Sequence, residues 1–333
     1  MIARSHFPRE APWRRSLAAA ITDPAELLTR LGLPASLLPA AERAAAVFPL
    51  RVPESFLARM RPGDPADPLL AQVLPLGAEL EAVPGFGRDP VAELGKLPAQ
   101  GIVHKYHGRL LLMPTGACAV HCRYCFRRHF PYEDHQTGVR GWDEALAHIR
   151  SDTTVSEVIL SGGDPLLLLD EHLARLAEEL AAIPHVERLR VHTRTPVVLP
   201  DRVDEALLAW LTGTGLRPVM VLHVNHAREL AGELPAALAR LRGAGVPLLA
   251  QSVLLQGVND SVAALADLSR ALFSAGVLPY YLNLLDRVEG AAHFDVPEEE
   301  ARALHRALTL LLPGYLVPRL VRDVPGEGAK VGV

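Results

Sequence analysis

Arg109-Leu-Leu-Leu-Met-Pro-Thr-Gly-Ala-Cys118-Ala-Val-His-Cys122-Arg-Tyr-Cys125 begins as an apolar run and ends in three cysteines at CxxxCxxC spacing. A short apolar run closed by turn residues reads as a buried strand, here over 109–114. Outward from it, the same texture recurs at 157–161, 188–193, 218–224, 247–254 and 279–285. Amphipathic spacing predicts a helix after each, over 142–151, 171–183, 203–211, 233–242, 261–275 and 297–312. After the first, longer unit the strands return every 29 to 32 residues, the length of a βα unit. Six such units point to an incomplete parallel barrel, with a doubly wound sheet as the alternative. Both architectures place chemistry at the C-terminal ends of the strands.

The unusual residues fall at those ends. The cysteines follow the first strand, and Ser161-Gly162-Gly163-Asp164-Pro165 follows the second. His192 to Arg194 close the third, His223, Asn225 and His226 end the fourth, Gln251 lies in the fifth, and Asp286 follows the sixth. Residues 1–100 are rich in Pro and Ala, with helical spacing at 24–33 and 41–48 and turn signals at 61–68. They are expected to form a helical arm or cap, 101–313 the barrel, and 314–333 a Gly-rich segment ending near Lys330 that closes the barrel mouth.

Composition narrows the function. With 333 residues, 49% apolar and 22% charged, the chain buries a real core. No run approaches the roughly 18 apolar residues of a membrane span. A net charge of -4 gives no basic footprint for nucleic acid. Arg14 and Arg15 precede an apolar stretch that breaks at Thr22, Asp23 and Pro24, too short for a secretory signal, so a cytoplasmic protein is expected. Of 34 basic residues only Lys96, Lys105 and Lys330 are lysines, so a lysine here is enriched for work that a guanidinium cannot do, such as imine formation.

Three cysteines within eight residues form no disulfide framework. Soft thiolates select zinc or an iron–sulfur cluster. A structural zinc needs four ligands and would have to recruit His121 or His129. A 4Fe–4S cluster on three cysteines leaves one iron open to a small molecule.

CxxxCxxC after the first strand of a partial barrel resembles the radical S-adenosylmethionine (SAM) enzymes. The wider stretch 109–130 is similar to their lysine 2,3-aminomutase family, in particular to the branch serving elongation factor P. The likeness extends through 51–56, 63–70, 251–255, 279–282 and 290–294. It implies a partial parallel (β/α)6 barrel of radical SAM type. It also implies a 4Fe–4S cluster on Cys118, Cys122 and Cys125, and SAM beside Ser161, Gly162, Gly163, Asp164, His223, Asn225 and Gln251. Asp323-Val-Pro-Gly-Glu-Gly-Ala-Lys330 is similar to the family motif whose Lys is catalytic and forms an imine with pyridoxal 5'-phosphate, and Tyr106 and Arg109 match its phosphate-holding residues. Lys105 stands where the family often has Arg. Arg127 matches the residue that binds the substrate carboxylate, while Asp286 and Asp323 match the pair that binds the ε-ammonium of L-lysine.

The activity so implied is an isomerase. A 5'-deoxyadenosyl radical removes hydrogen from Cβ of lysine, the amino group moves from Cα to Cβ, and (R)-β-lysine passes to a ligase that modifies elongation factor P. A reducing electron donor is required, and a homodimer stays open as an assembly. The alternatives are an aminomutase of lysine catabolism and, from another class, a zinc-binding interaction protein. The chain ends soon after Lys330, which favours the elongation-factor branch, whereas Asp323 resembles the free-lysine enzymes.

Overall fold

Leu110 and Leu112, Val158 and Leu160, Leu189 and Val191, and Met220 and Leu222 are pairs two residues apart, all buried in one cluster with the helices outside the sheet. A period of two sends alternate side chains to opposite faces, so these strands bury one face and turn the other inward. The strand Arg188–Thr193 shows it plainly, with Leu189, Val191 and Thr193 buried and Arg188, Arg190 and His192 half-exposed. The inner face lines the lumen, apolar and buried at Ile159 and Val221 and polar toward the C-terminal ends of the strands at His192, His223 and Gln251.

The computed structural model describes residues 11–135 and 141–333. Its strands are β1 (Ile102–Tyr106), β2 (Arg109–Thr115), β3 (Glu157–Gly162), β4 (Arg188–Thr193), β5 (Arg217–His223), β6 (Leu248–Val253), β7 (Leu278–Asn283), β8 (Arg319–Arg322) and β9 (Val331–Gly332). They form one sheet in strict chain order, parallel from β2 through β8. A doubly wound sheet reverses its strand order partway; this one never does, which settles the architecture as an open barrel. The six expected strands are β2 to β7. The helices after them are Asp143–Ser151, Asp170–Ala181, Glu205–Thr212, Leu234–Gly243, Val262–Ser274 and Glu298–Leu311.

The edges differ from expectation. A hairpin through His107 and Gly108 pairs β1 antiparallel with β2, and Gly108 sits at φ 75°, where a side chain is disfavoured. Beyond the sixth unit, β8 adds a seventh parallel strand, and β9 folds back antiparallel on it. Two to five residues are too few to declare a period, which is why these strands escape a reading by pattern.

Before the sheet, the helices Pro12–Ala18, Pro24–Leu31 and Leu38–Val47 lead to two short turns of helix, Glu54–Leu57 and Pro68–Ala71. Trp13, Leu27, Phe56, Leu69 and Leu70 form a second core. It includes Ala119 and Val120 of the cysteine loop and Val198 and Leu199 after β4. The arm therefore packs directly behind the loop that carries the cysteines. Further along, Gly87 bridges to Val288, so the stretch before β1 runs beside the loop after β7.

Candidate functional site

Thr115 ends β2, and the chain then leaves the sheet to carry Cys118, Cys122 and Cys125 over its C-terminal end. All three are partly exposed and free of disulfides. The loop is pinned along its length. Arg51 donates to the Cys118 carbonyl at 3.2 Å, the His121 amide to Arg51 O, the Arg123 amide to Gln72 O, and the Cys125 amide to Cys122 O. Burial, then the neighbouring Cys125, Asp164 and Cys122, pushes the Cys118 thiol well up. Burial and then Cys122 raise Cys125 to about 11. Thiols raised in this way hold their protons at neutral pH, and a metal that binds them displaces those protons.

Among the described residues no three His, Cys, Asp or Glu side chains converge as a single metal ion requires. His121 Nδ1 lies 2.9 Å from Pro49 O and His129 Nε2 3.1 Å from Glu289 O, so both potential fourth zinc ligands face backbone carbonyls. In a cubane cluster each cysteine meets a different iron, so convergence on one point is not needed. A set of three thiols on one pinned loop fits a cluster better than zinc.

Ser161-Gly162-Gly163-Asp164 closes β3 against that loop. Amides of Gly163 and Asp164 donate to the carbonyls of Thr115 and Ala117 at 2.9 and 2.7 Å. A Cβ on Gly163 would lie 2.4 Å from Ala117 O and 2.5 Å from the carbonyl carbon of Gly116. The glycine is thus required by the approach of the cysteine loop itself. Gly163→Ala must push that backbone away, an overpacking cost of about 1–3 kcal/mol placed at the cysteine loop. The expected result is a soluble protein whose iron content after reconstitution falls several-fold, and wild-type iron content would refute this role.

Two residues expected beside SAM also have partners within the protein. Asp164 accepts from Thr193 Oγ1 at 2.8 and 2.9 Å, from the amides of Arg194 and Thr195 at 2.8 and 2.9 Å, and from the Leu166 amide at 3.1 Å. It ties the end of β3 to the end of β4. Asn225 donates to Tyr124 Oη at 2.7 Å and to Gln72 Oε1 at 2.9 Å, and accepts from the Val253 amide at 2.8 Å. Both side chains have structural partners that account for their polarity. By contrast, His223 and Gln251 face each other on adjacent strands from the inner face. Burial first, then Arg194, Arg127 and Lys330, lowers His223 to about 3, so its imidazole stays neutral.

Arg127 is nearly buried, and its fork is held from two sides. Nε and Nη2 donate to Glu93 at 2.7 and 2.8 Å, and Nη1 donates to Ser161 Oγ at 3.1 Å. Lys105 Nζ lies 3.5 Å from the same Glu93. Burial would raise the Glu93 carboxyl, but Arg127 and then Lys105 outweigh it and hold it below its usual range.

At the seam between the two sheet edges, Lys330 Nζ donates to Asp323 Oδ2 at 2.6 Å, and Tyr106 Oη to Asp323 Oδ1 at 2.5 Å. The Arg109 guanidinium lies 4.8 Å from the centre of the Tyr106 ring. Tyr106, Arg109, Asp323 and Lys330, distant in sequence, are brought into one chain of contacts. Burial would raise Asp323, yet Lys330 and the Tyr106 hydrogen bond keep it low. Asp286 lacks such a close cation. Burial raises it to about 7, with Lys330 opposing and Asp323 reinforcing the shift.

The arm supplies partners that motif reading missed. Glu79 holds Arg123 and Arg128, Glu93 holds Arg127, and Gln72 meets Arg194 at 2.6 Å. Each pair spans 30 residues or more, and no spacing rule links such positions. The only available signal was an Arg-dense CRYCFRR stretch needing buried anions.

A profile of the radical SAM superfamily matches residues 112–268. Over 99% of this chain and 96% of the relative, the sequence is 49% identical to an L-lysine 2,3-aminomutase of Escherichia coli. It is 45% identical to an L-lysine 2,3-aminomutase of Haemophilus influenzae, over 96% of this chain and 95% of that one. With an L-lysine 2,3-aminomutase of Clostridium subterminale the identity is 39% over 84% of this chain and 67% of that protein.

Proposed function

Because the chain belongs to the L-lysine 2,3-aminomutase family of radical SAM enzymes, we propose that it moves the α-amino group of L-lysine to Cβ, using pyridoxal 5'-phosphate held on Lys330. The observation that carries the reading is the placement of Arg127, Asp286, Asp323 and Lys330 at the cysteine-bearing end of one sheet. Lysine offers a carboxylate at one end and an ammonium at the other, and this site offers an arginine fork and two carboxylates in return. When bound, the cluster and SAM supply a hydrogen-abstracting radical, and pyridoxal 5'-phosphate supplies a carrier for the migrating amine.

The protein's own residues orient and insulate. Ser161 and Glu93 fix the plane of Arg127, so the fork meets a carboxylate without first losing rotamer freedom. Tyr106 and Arg109, with Lys105 nearby, suit a phosphate monoester. Neutral His223 paired with Gln251 offers hydrogen bonds without adding charge to the lumen. We propose Ser161, Gly162, Gly163, Asp164 and Asn225 with this pair as the wall against SAM, and Cys118, Cys122 and Cys125 as the cluster ligands.

The charge on Asp286 makes lysine use pH-dependent. Below about 7 its carboxyl is protonated and attracts the substrate ammonium weakly; above it the carboxylate forms, facing Lys330, Lys105, Asp323 and Glu93. Accordingly kcat/KM for lysine should fall as pH drops through about 7. Asp286→Asn should lower the alkaline plateau by about 10–100-fold, the range of a charged hydrogen bond, and remove the inflection. A wild-type profile flat through neutrality would contradict this assignment.

The finer role follows the resemblance at 51–56, 63–70 and 290–294. The product is (R)-β-lysine, used with a ligase to modify elongation factor P in the cytoplasm, and a low-potential one-electron donor feeds the cluster. No helix among the described residues is long and apolar enough to cross a membrane. Anaerobic reconstitution with iron, sulfide, pyridoxal 5'-phosphate, SAM and dithionite, followed by chiral analysis of lysine incubations, tests the proposal. (R)-β-lysine supports the elongation-factor role, whereas the opposite enantiomer points to lysine catabolism. SAM cleavage without β-lysine overturns the substrate.

A further inference from the structure

Beneath the cysteine loop lies a cation that the substrate chemistry does not use. Arg194, the first residue after β4, is 6% exposed. Its Nη1 lies 2.8 Å from Cys122 Sγ and 2.5 Å from Tyr124 Oη. Nη2 reaches Gln72 Oε1 at 2.6 Å and Glu229 Oε2 at 3.1 Å. Glu229 is fully buried and also accepts from the amides of Asn225 and His226 and from Gln72 Nε2. The guanidinium therefore cannot swing away, and it stays charged at any working pH.

We propose that Arg194 sets the reduction potential of the cluster, with Glu229 as the countercharge that limits its effect. The inference rests on Cys118, Cys122 and Cys125 holding that cluster. One electron from a low-potential donor adds one negative charge to the iron–sulfur core, and its thiolate ligands share that charge. A fixed cation donating to one ligand sulfur favours the reduced state, because net charge and hydrogen bonds to sulfur are what tune such centres. Glu229 offsets part of this and keeps the buried cation paired. Arg194 acts through Cys122, which makes it a positioning residue.

The test is a mediated potentiometric titration of the full-length, reconstituted protein, read by the electron paramagnetic resonance of the reduced cluster without SAM. Arg194→Gln should lower the reduced-to-oxidised ratio at a fixed potential about tenfold, equivalent to 59 mV for one electron. Glu229→Gln should shift the potential upward, and Arg194→Lys should recover part of the loss. A merely structural network predicts no such opposition of sign. An unchanged potential in Arg194→Gln at wild-type iron and sulfide content overturns the proposal, as does a downward shift in Glu229→Gln. Should Arg194→Gln assemble no cluster, Glu229→Gln decides alone, a rise supporting the proposal and anything else refuting it. A wild-type protein that takes up no iron and sulfide overturns the cluster reading itself, and this inference with it.

Discussion

Lys330→Ala is expected to abolish β-lysine formation, by at least ~10³-fold, or about 4 kcal/mol of transition-state stabilisation, while iron content and SAM binding stay at wild-type levels. Lys330 is part-buried near the chain end, and in the structure its amine is engaged by Asp323 rather than solvated. That contact makes a plain alanine result ambiguous, because losing the cation also frees a carboxylate proposed to bind substrate. Lys330→Arg removes the ambiguity. Arginine can keep the ion pair with Asp323 but cannot form an imine, so it should be as inactive as alanine. An active Lys330→Arg would leave the ion pair as the whole role of the residue, and pyridoxal 5'-phosphate would lose its anchor. Loss of activity in both, with visible absorbance of the bound cofactor lost as well, supports the covalent role. The readout is chiral product analysis alongside absorbance of the reconstituted variants.

The barrel was legible because its strands are short apolar runs closed by turn residues and its units repeat. Arg188–Thr193 was predicted to the residue, and the other five inner strands to within two. CxxxCxxC and the Lys330 motif stand out as candidates because each is written in a few consecutive residues. What the sequence could not say was which partners within the protein the polar strand-end residues take. Asp164 accepts from Thr193 and the Arg194 amide, and Asn225 donates to Tyr124 and Gln72. Nor could it pair Glu79, Glu93 and Gln72 of the arm with arginines far along the chain, because such pairings exist only after the arm has packed behind the loop. The arm reads from composition as a cap, yet the structure gives it buried anions that face the cysteine segment.

Glu79→Ala should therefore destabilise the protein by about 3–5 kcal/mol, the cost of leaving a buried charge without its partner. Glu79 accepts from Arg123 Nε at 2.8 Å and Nη2 at 2.5 Å, from Arg128 Nη2 at 2.7 Å, and from the Leu76 amide at 2.9 Å. Arg123 has no exposed surface, and its remaining partners are the carbonyls of Phe48 and Pro49. Arg128 donates to the carbonyls of Arg123 and Gly290. Both guanidiniums also lie over the Phe48 ring, at 4.8 and 4.7 Å, so water has little access to either. Carbonyls and an aromatic face solvate a cation in part but supply no countercharge, and two like charges in one pocket then repel. Against a typical net stability of about 5–15 kcal/mol, that loss is large, and its location makes it specific. Arg123 sits between Cys122 and Tyr124, so the cysteine loop proposed to hold the cluster loses its attachment to the arm. Chemical denaturation should show the fall in stability, and a chelator should strip iron from the variant faster than from wild type. Glu79→Gln, which keeps an acceptor without the charge, should fall between the two. A Glu79→Ala protein within about 1 kcal/mol of wild type would mean that the arm merely covers the loop and does not hold it.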